Sequence, residues 1–236
     1  AAACGCAEVE VSEPLRIAVL GTGDELVAVG DVPREGQIRQ TNVPALSAAL
    51  RLSGYGPAET GALPDEGPAL REGLVSLLAH HDVVVVTGGV SKGRCDLIPA
   101  ILMETGASCI LHGVAQRPGK PMGVWQVAGG PVVFGLPGNP VSALVCLRRY
   151  VLPALFRWSG GAEDPPPRRI LRGSFARPHG LTLFLPVLEG GDGNLAPAPV
   201  ANSGDFCGLA GSCGFAEVDE SFAEGSPVPY FRWCEP

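Results

Sequence analysis

The chain has 236 residues, of which 46% are hydrophobic and 17% charged, with a formal net charge of -7. That balance excludes a disordered chain and supplies enough apolar material for one large or two smaller cores. The acidic excess argues against nucleic acid or an anionic membrane as a partner, while a local basic cluster could still hold a small anion.

Residues 16–20 (RIAVL) predict a short apolar strand running into Gly21-Thr22-Gly23-Asp24-Glu25-Leu26. This is no dinucleotide fingerprint, because G-x-G-x-x-G needs glycine where Leu26 stands. Asn42 and Pro44 open a helix with apolar positions Leu46, Ala49, Leu50 and Leu52, stopped at Ser53-Gly54. A strand near residues 56–62 follows, and then Asp65 is placed to cap a helix carrying Leu70, Leu74, Leu77 and Leu78. His80 and His81 close that helix as structural residues suited to its dipole. Residues 83–86 are four valines, the pattern of a strand buried on both faces of a parallel sheet. A helix over 97–105 with Asp96 as its cap and a strand over 108–114 extend the alternation, and residues 123–127 and 132–136 form a hairpin. Asn139 and Pro140 begin a long helix over 141–158, with a kink expected at Pro153.

Strands and helices alternating in this way specify a three-layer α/β/α domain over residues 14–158. Residues 159–169 (SGGAEDPPPRR) have the composition of a linker. Beyond it, β-like runs at 170–175, 181–187, 215–218 and 228–233 predict a small all-β barrel or sandwich over 170–236. The chain opens on Ala1 in AAACGCA, and residues 1–13 read as the remnant of an upstream segment. Eight irregularly spaced cysteines, with no C-x-x-C pair, argue against a zinc site and for reduced thiols. No apolar run nears ~18 residues and no basic leader is visible, so a cytoplasmic location is expected.

Three stretches carry chemistry. In residues 83–96 (VVVVTGGVSKGRCD) the valine strand ends in Gly88-Gly89, where the backbone can turn tightly and approach an anionic ligand. The Walker pattern is excluded, since Arg94-Cys95 stand where Lys and Ser/Thr are required. Arg117-Pro118-Gly119-Lys120 fits a type II turn whose ends, Arg117 and Lys120, are both cations. Leu136-Pro137-Gly138-Asn139-Pro140 places a third turn directly before a helix. Against these stand Asp24, Glu25, Asp65 and Asp96, each just after one of the first three strands and so at one carboxyl rim, with the hard oxygens that magnesium takes. Taken singly, Asp65 and Asp96 also suit plain helix caps.

TGDEL (22–26), TGGVSKG (87–93) with Asp96, RPGKP (117–121) and LPGNPVSA (136–143) occur in this order. On these motifs the chain resembles the C-terminal half of the molybdopterin molybdenumtransferase family, which includes the bacterial molybdenum-cofactor insertase and the E domain of gephyrin. The resemblance runs from about Glu8 to the end, more loosely in the β-rich tail. It implies a molybdopterin-binding α/β domain followed by a small β-barrel, and magnesium-assisted insertion of molybdate into adenylylated molybdopterin with release of AMP. By motif, Asp24, Glu25, Asp65 and Asp96 handle metal or molybdate, with Glu25, Asp65 and Asp96 the catalytic carboxylates. Thr22, Gly88, Gly89, Ser91, Arg117, Gly119, Lys120, Pro137, Gly138 and Ser142 then hold the pterin phosphate, nucleotide or oxyanion.

Two departures qualify the likeness. Arg117 stands where the family often has Lys, and the two further domains that precede this region in family members, one of which completes a partner's active site in a homodimer, are absent. A non-catalytic binding or scaffold module and the related molybdopterin adenylyltransferase therefore stay open as readings. The missing domains favour the module, whereas the β-rich tail favours the transferase over the adenylyltransferase.

Overall fold

The computed structural model describes residues 1–65, 67–90, 97–162 and 164–233. The chain enters its first sheet with β1 (Ile17–Thr22), makes a short parallel pair from β2 (Leu26–Val27) and β3 (Ile38–Arg39), and turns into α1 (Asn42–Leu52). Next come β4 (Glu59–Leu63), α2 (Pro68–His80), β5 (Val83–Thr87), α3 (Ile98–Glu104) and β6 (Ala107–His112). After β7 (Gln116–Arg117), the hairpin of β8 (Gly123–Val127) and β9 (Val132–Leu136) leads to α4 (Pro140–Cys146). A π-helical turn, Leu147–Val151, joins α4 to α5 (Leu152–Trp158).

Six of these strands form one sheet in the order β4-β1-β5-β9-β8-β6. β4, β1, β5 and β9 run parallel, and β8 is antiparallel to both its neighbours. The chain goes outward from β1 to β4 and then back across to β5, so its direction of travel reverses between β1 and β5. Doubly wound sheets bind ligands at such a reversal, beyond the carboxyl ends of the strands.

The valine run alternates between two cores although all four residues are buried. Val83 and Val85 meet Leu46 and Leu50 of α1 and Leu147 and Leu155 of the last helical stretch. Val84 and Val86 meet Leu70 and Leu74 of α2 and Ile98 and Leu102 of α3 on the other face. Each such burial contributes roughly 1.5 kcal/mol or more, which is why this strand is central and not an edge. At the amino end of the sheet Arg16 grips Asp82 through Nε, Nη2 and its backbone N–H, at 2.7–3.1 Å.

Several local expectations change in detail. Leu52 is exposed, because it lies two positions after buried Leu50 and so on the other side of α1. Asp65 does not cap α2; Gly67 occupies that position and Pro68 starts the helix. The irregularity expected at Pro153 falls one turn earlier, at the π-turn. A proline ring displaces the carbonyl four residues before it, here that of Arg149, and the wider turn accommodates this. Asn139 stands at the N-cap of α4, but its side chain accepts no N–H of the helix; its amide donates to Ser203 Oγ at 3.0 Å.

The remaining strands are β10 (Arg168–Ile170), β11 (Thr182–Glu189), β12 (Leu195–Pro197), β13 (Gly214–Val218) and β14 (Pro227–Arg232). They make a second sheet in the order β10-β14-β13-β11-β12, and a bridge between Leu171 and Leu195 brings its two ends together around Leu183, Val187, Val218 and Tyr230. Arg168 and Arg169, read as linker, belong to this sheet through their pairing with β14. β7, from the α/β part, adds to β11 in parallel, and Val141 and Val145 of α4 pack against Phe184, Phe215 and Phe231. Among the described residues no helix is long and apolar enough to cross a membrane.

Candidate functional site

The carboxyl ends of β1, β5 and β9 lie side by side, with Gly21 opposite Thr87 and Thr87 opposite Leu136. The loops that follow them bound a cleft of about 940 Å³. Gly88 (φ 92°) and Gly89 (φ 61°) turn the β5 loop onto Thr22. A Cβ at Gly88 would stand 2.6 Å from the Thr22 carbonyl oxygen, and one at Gly89 2.9 Å from Thr22 Oγ1, so both backbone angle and close approach require glycine. The Gly88 N–H donates to the Leu136 carbonyl at 3.1 Å and ties the second loop to the third.

A buried side-chain network sets the floor. Thr87 Oγ1 donates to the Pro137 carbonyl at 3.0 Å and accepts from Asn42 Nδ2 at 2.8 Å. The same amide donates to the Gly138 carbonyl at 2.7 Å. Thr87 is 2% exposed and Asn42 8%, so these bonds form away from water, where an unmet partner is costly. The first residue of α1 thus fixes the turn after β9.

The carboxylates meet at the cleft mouth. Asp65 Oδ2 accepts the Asp24 N–H at 3.0 Å and Asp24 Oδ1 accepts the Asp65 N–H at 3.3 Å, which is why Asp65 is turned away from α2. Glu25 and Asp65 line the cleft. Among the described residues no three His, Cys, Asp or Glu side chains gather closely enough to hold a metal ion. Asp96 and Ser91 lie outside the described residues.

The structure draws the Arg117–Lys120 loop elsewhere. Gln116 and Arg117 pair with Thr182 and Leu183 of β11, and the loop closes with the Val114 N–H on the Lys120 carbonyl at 2.8 Å. The Arg117–Pro118 peptide is cis, and the loop's backbone bonds include this wider closure and one from the Met122 N–H to the Gly119 carbonyl at 3.1 Å. Gln116, 1% exposed, donates to the Pro118 carbonyl and to Cys146 Sγ and accepts from the Tyr150 hydroxyl. Burial pushes the Cys146 thiol up to about 12 and is the chief cause of the same value for Tyr150, so both stay protonated here. A Cβ at Gly119 would stand 2.5 Å from Gln116 Nε2 and 2.6 Å from Cys146 Sγ, which gives this glycine a packing role. Arg117 and Lys120 are exposed, and neither they nor Gly119 line the cleft. Pro137 and Ser142 are buried beside it.

Several residues on the cleft wall were not read from the sequence as site residues, among them Arg39, Gln40, Asn42 and Phe206. Arg39, Gln40 and Asn42 come from the segment that β2 and β3 fold back over the rim, held by Ile38 N–H on the Glu25 carbonyl and Gln40 N–H on the Val27 carbonyl, both at 2.8 Å. The Gln40 side chain lies on β1 where any Cβ at Gly21 would collide with it. Phe206 arrives from the β-rich part, whose loop is fastened by Ser203 to Asn139 and to the Val141 N–H. The signal available for Asn42 was a polar residue opening an apolar helix; a turn-rich stretch held no comparable signal for Phe206.

A doubly wound α/β sheet with a glycine-lined cleft at its reversal point, overhung by a β-barrel, defines a small-ligand-binding protein. Residues 18–157 match the family described as "Probable molybdopterin binding domain", and the chain belongs to that family. It is 35% identical to a molybdopterin molybdenumtransferase of Synechocystis sp. over 97% of its own length and 58% of the relative's. It is 33% identical to molybdopterin molybdenumtransferase 2 of Mycobacterium tuberculosis, over 95% of its length and 57% of that protein. Among solved structures, a molybdopterin biosynthesis MoeA protein from Pyrococcus horikosii superposes with a TM-score of 0.78 at 29% identity, covering 93% of this chain and 55% of that one. The chain therefore spans less than two thirds of each of these three proteins.

Proposed function

We propose that this chain is the ligand-binding part of a molybdopterin molybdenumtransferase acting in molybdenum cofactor biosynthesis. The reaction inserts molybdate into the dithiolene of adenylylated molybdopterin and releases AMP. One observation carries the reading: the loops after β1, β5 and β9, which make the cleft, all fall within the residues matched to the molybdopterin-binding family. In this reading residues 14–158 form the ligand-binding domain, 159–167 the linker and the chain from 168 onward the barrel domain, in a cytoplasmic homodimer.

Thr22, Gly88, Gly89 and Gly138 form the inner wall against which the substrate rests, and Pro137 and Ser142 shape it from behind. Arg117 and Lys120 stay off the cleft wall, on the loop that β7 carries to β11. Following the family resemblance we assign Asp24, Glu25, Asp65 and Asp96 to magnesium, although the described carboxylates do not by themselves gather closely enough to hold the ion. Bound there, magnesium supplies neutralisation of phosphate charge. The carboxylates, in turn, fix where that charge is met, and the backbone bonds between Asp24 and Asp65 hold two of them in place.

Calorimetry with adenylylated molybdopterin tests binding, and AMP release with and without molybdate tests the chemistry. Tight binding by this chain is the expected result, with molybdate-dependent release absent or very slow here and restored in a longer chain of the relatives' full length, where Asp65→Asn abolishes it. A wild-type chain that does not bind adenylylated molybdopterin overturns the reading.

A further inference from the structure

The loop that follows β5 is held at two points, and one of them lies far from the cleft. At its start the Gly88 N–H donates to the Leu136 carbonyl at 3.1 Å. Two residues on, the Val90 carbonyl stands 2.9 Å from Nε2 of His112, the last residue of β6. β6 is the far edge of the sheet, separated from β5 by β9 and β8. A carbonyl oxygen only accepts, so His112 Nε2 carries the proton in this bond.

A row of residues across the sheet makes that reach possible. Val86 stands opposite Gly135, Gly135 opposite Gly123, and Gly123 opposite His112. Opposed residues project from one face, so the two glycines leave a trough between Val86 and His112. Val90 and Trp125, each 1% exposed, fill it. A Cβ at Gly123 would run into the Trp125 ring, and one at Gly135 would stand 2.8 Å from Val90 Cγ1. Side chains at these two positions would lift Val90 off the sheet and its carbonyl away from β6. The His112 ring rests near Trp125, with centroids 5.4 Å apart at a tilt of 56°, and this packing aims its N–H at the loop.

We propose that His112 is a positioning residue for the ligand site. It does not line the cleft and acts through the Val90 carbonyl. Gly88 and Gly89 do line the cleft, and two successive glycines leave a backbone with many competing conformations. Fixing the residue after them restricts that choice and holds both glycines in their positive-φ path over Thr22. The inference rests on the functional reading above and adds a residue outside the cleft on which the geometry of its wall depends.

His112→Gln keeps an N–H donor at about the reach of Nε2, whereas His112→Phe keeps a flat ring near Trp125 and loses the donor. His112→Leu removes the donor with a smaller side chain. His80→Phe is the control, since the His80 ring bonds the Ser76 carbonyl at the exposed end of α2. Each protein is measured by amide hydrogen exchange at Gly88 and Val85, by calorimetry with adenylylated molybdopterin, and by melting temperature. The Phe and Leu variants should exchange Gly88 about three- to tenfold faster and bind about three- to tenfold more weakly, with Val85 exchange unchanged. His112→Gln should return both values to those of wild type, and His80→Phe should alter neither.

Wild-type exchange at Gly88 without the donor, a loss that glutamine does not rescue, or faster exchange with undiminished affinity overturns the inference. Misfolding of both donor-less variants also overturns it, because the bond would then hold the fold and not the loop. Failure of wild type to bind adenylylated molybdopterin overturns the functional reading instead, while exchange at Gly88 still decides whether His112 holds the loop.

Discussion

Asp24 and Asp65 lie 41 residues apart in the chain and hold each other through the backbone, each carboxylate accepting the other's N–H. The bonds tie the loop after β1 to the loop after β4, and they separate what the shape of Asp65 does from what its charge does. Asp65→Asn retains an acceptor oxygen, so its melting temperature should stay within about 1 °C of wild type. Asp65→Ala loses the acceptor and should melt about 2–4 °C lower, as a cost of ~1 kcal/mol implies for a chain of this size. Equal melting of all three proteins would mean that the paired bonds contribute nothing to stability.

The network under the cleft makes a second prediction. Thr87→Val strips the Pro137 carbonyl of its donor, and Asn42→Ala strips both Thr87 and Gly138, each leaving buried groups unmet at a cost of about 1–3 kcal/mol. Because the two side chains share a bond, the double variant should lose less than the sum, by ~0.5 kcal/mol or more. Urea denaturation of the four proteins measures this, and strict additivity would show that Asn42 and Thr87 act independently.

The two glycine turns should differ. Gly88→Ala places a Cβ within 2.6 Å of the Thr22 backbone at a positive φ and should cost ~1–3 kcal/mol together with ligand affinity. Gly138→Ala meets only ordinary contact, 3.8 Å from the Gly88 Cα, and should fold with near wild-type stability. Thermal melts of the two proteins decide it; a larger loss in Gly138→Ala would contradict this geometry.

Asp82 offers a test in pH, far from the cleft. Its hydrogen bonds from the Arg16 guanidinium, then from the Arg16 N–H, hold its carboxyl below the ordinary value. A carboxyl whose folded pKa is depressed adds stability above its unfolded pKa, near 3.9, and loses that stability as pH falls through the folded value. Wild type should therefore melt above Asp82→Asn at pH 7, and the gap should close as pH falls through the depressed folded value. A gap that widens in acid would reject the pairing as the source of the shift.

What could be read along the chain was what a few neighbouring residues decide. Four consecutive valines specify a buried strand, and Leu70, Leu74 and Leu77 specify one face of a helix, because side-chain direction follows from local backbone period. The paired glycines at 88 and 89 and the order of the motifs were equally plain, and with them the family. The alternation of elements also conveyed the parallel sheet and the rim where its loops gather.

What tertiary structure alone decided were contacts between residues far apart. Asp65 turned from helix cap to partner of Asp24, since a carboxylate accepts whichever N–H the fold brings nearest. Gln116 and Arg117 joined a strand 66 residues later, and this, with the buried anchorage of Gln116 on Cys146 and Tyr150, carried the basic loop off the cleft wall. Asn42 and Phe206 entered the cleft because chain folding set the start of α1 and a turn of the barrel beside the glycine loops. Hydrogen bonding and packing across such separations depend on which surfaces meet, and no local pattern encodes that.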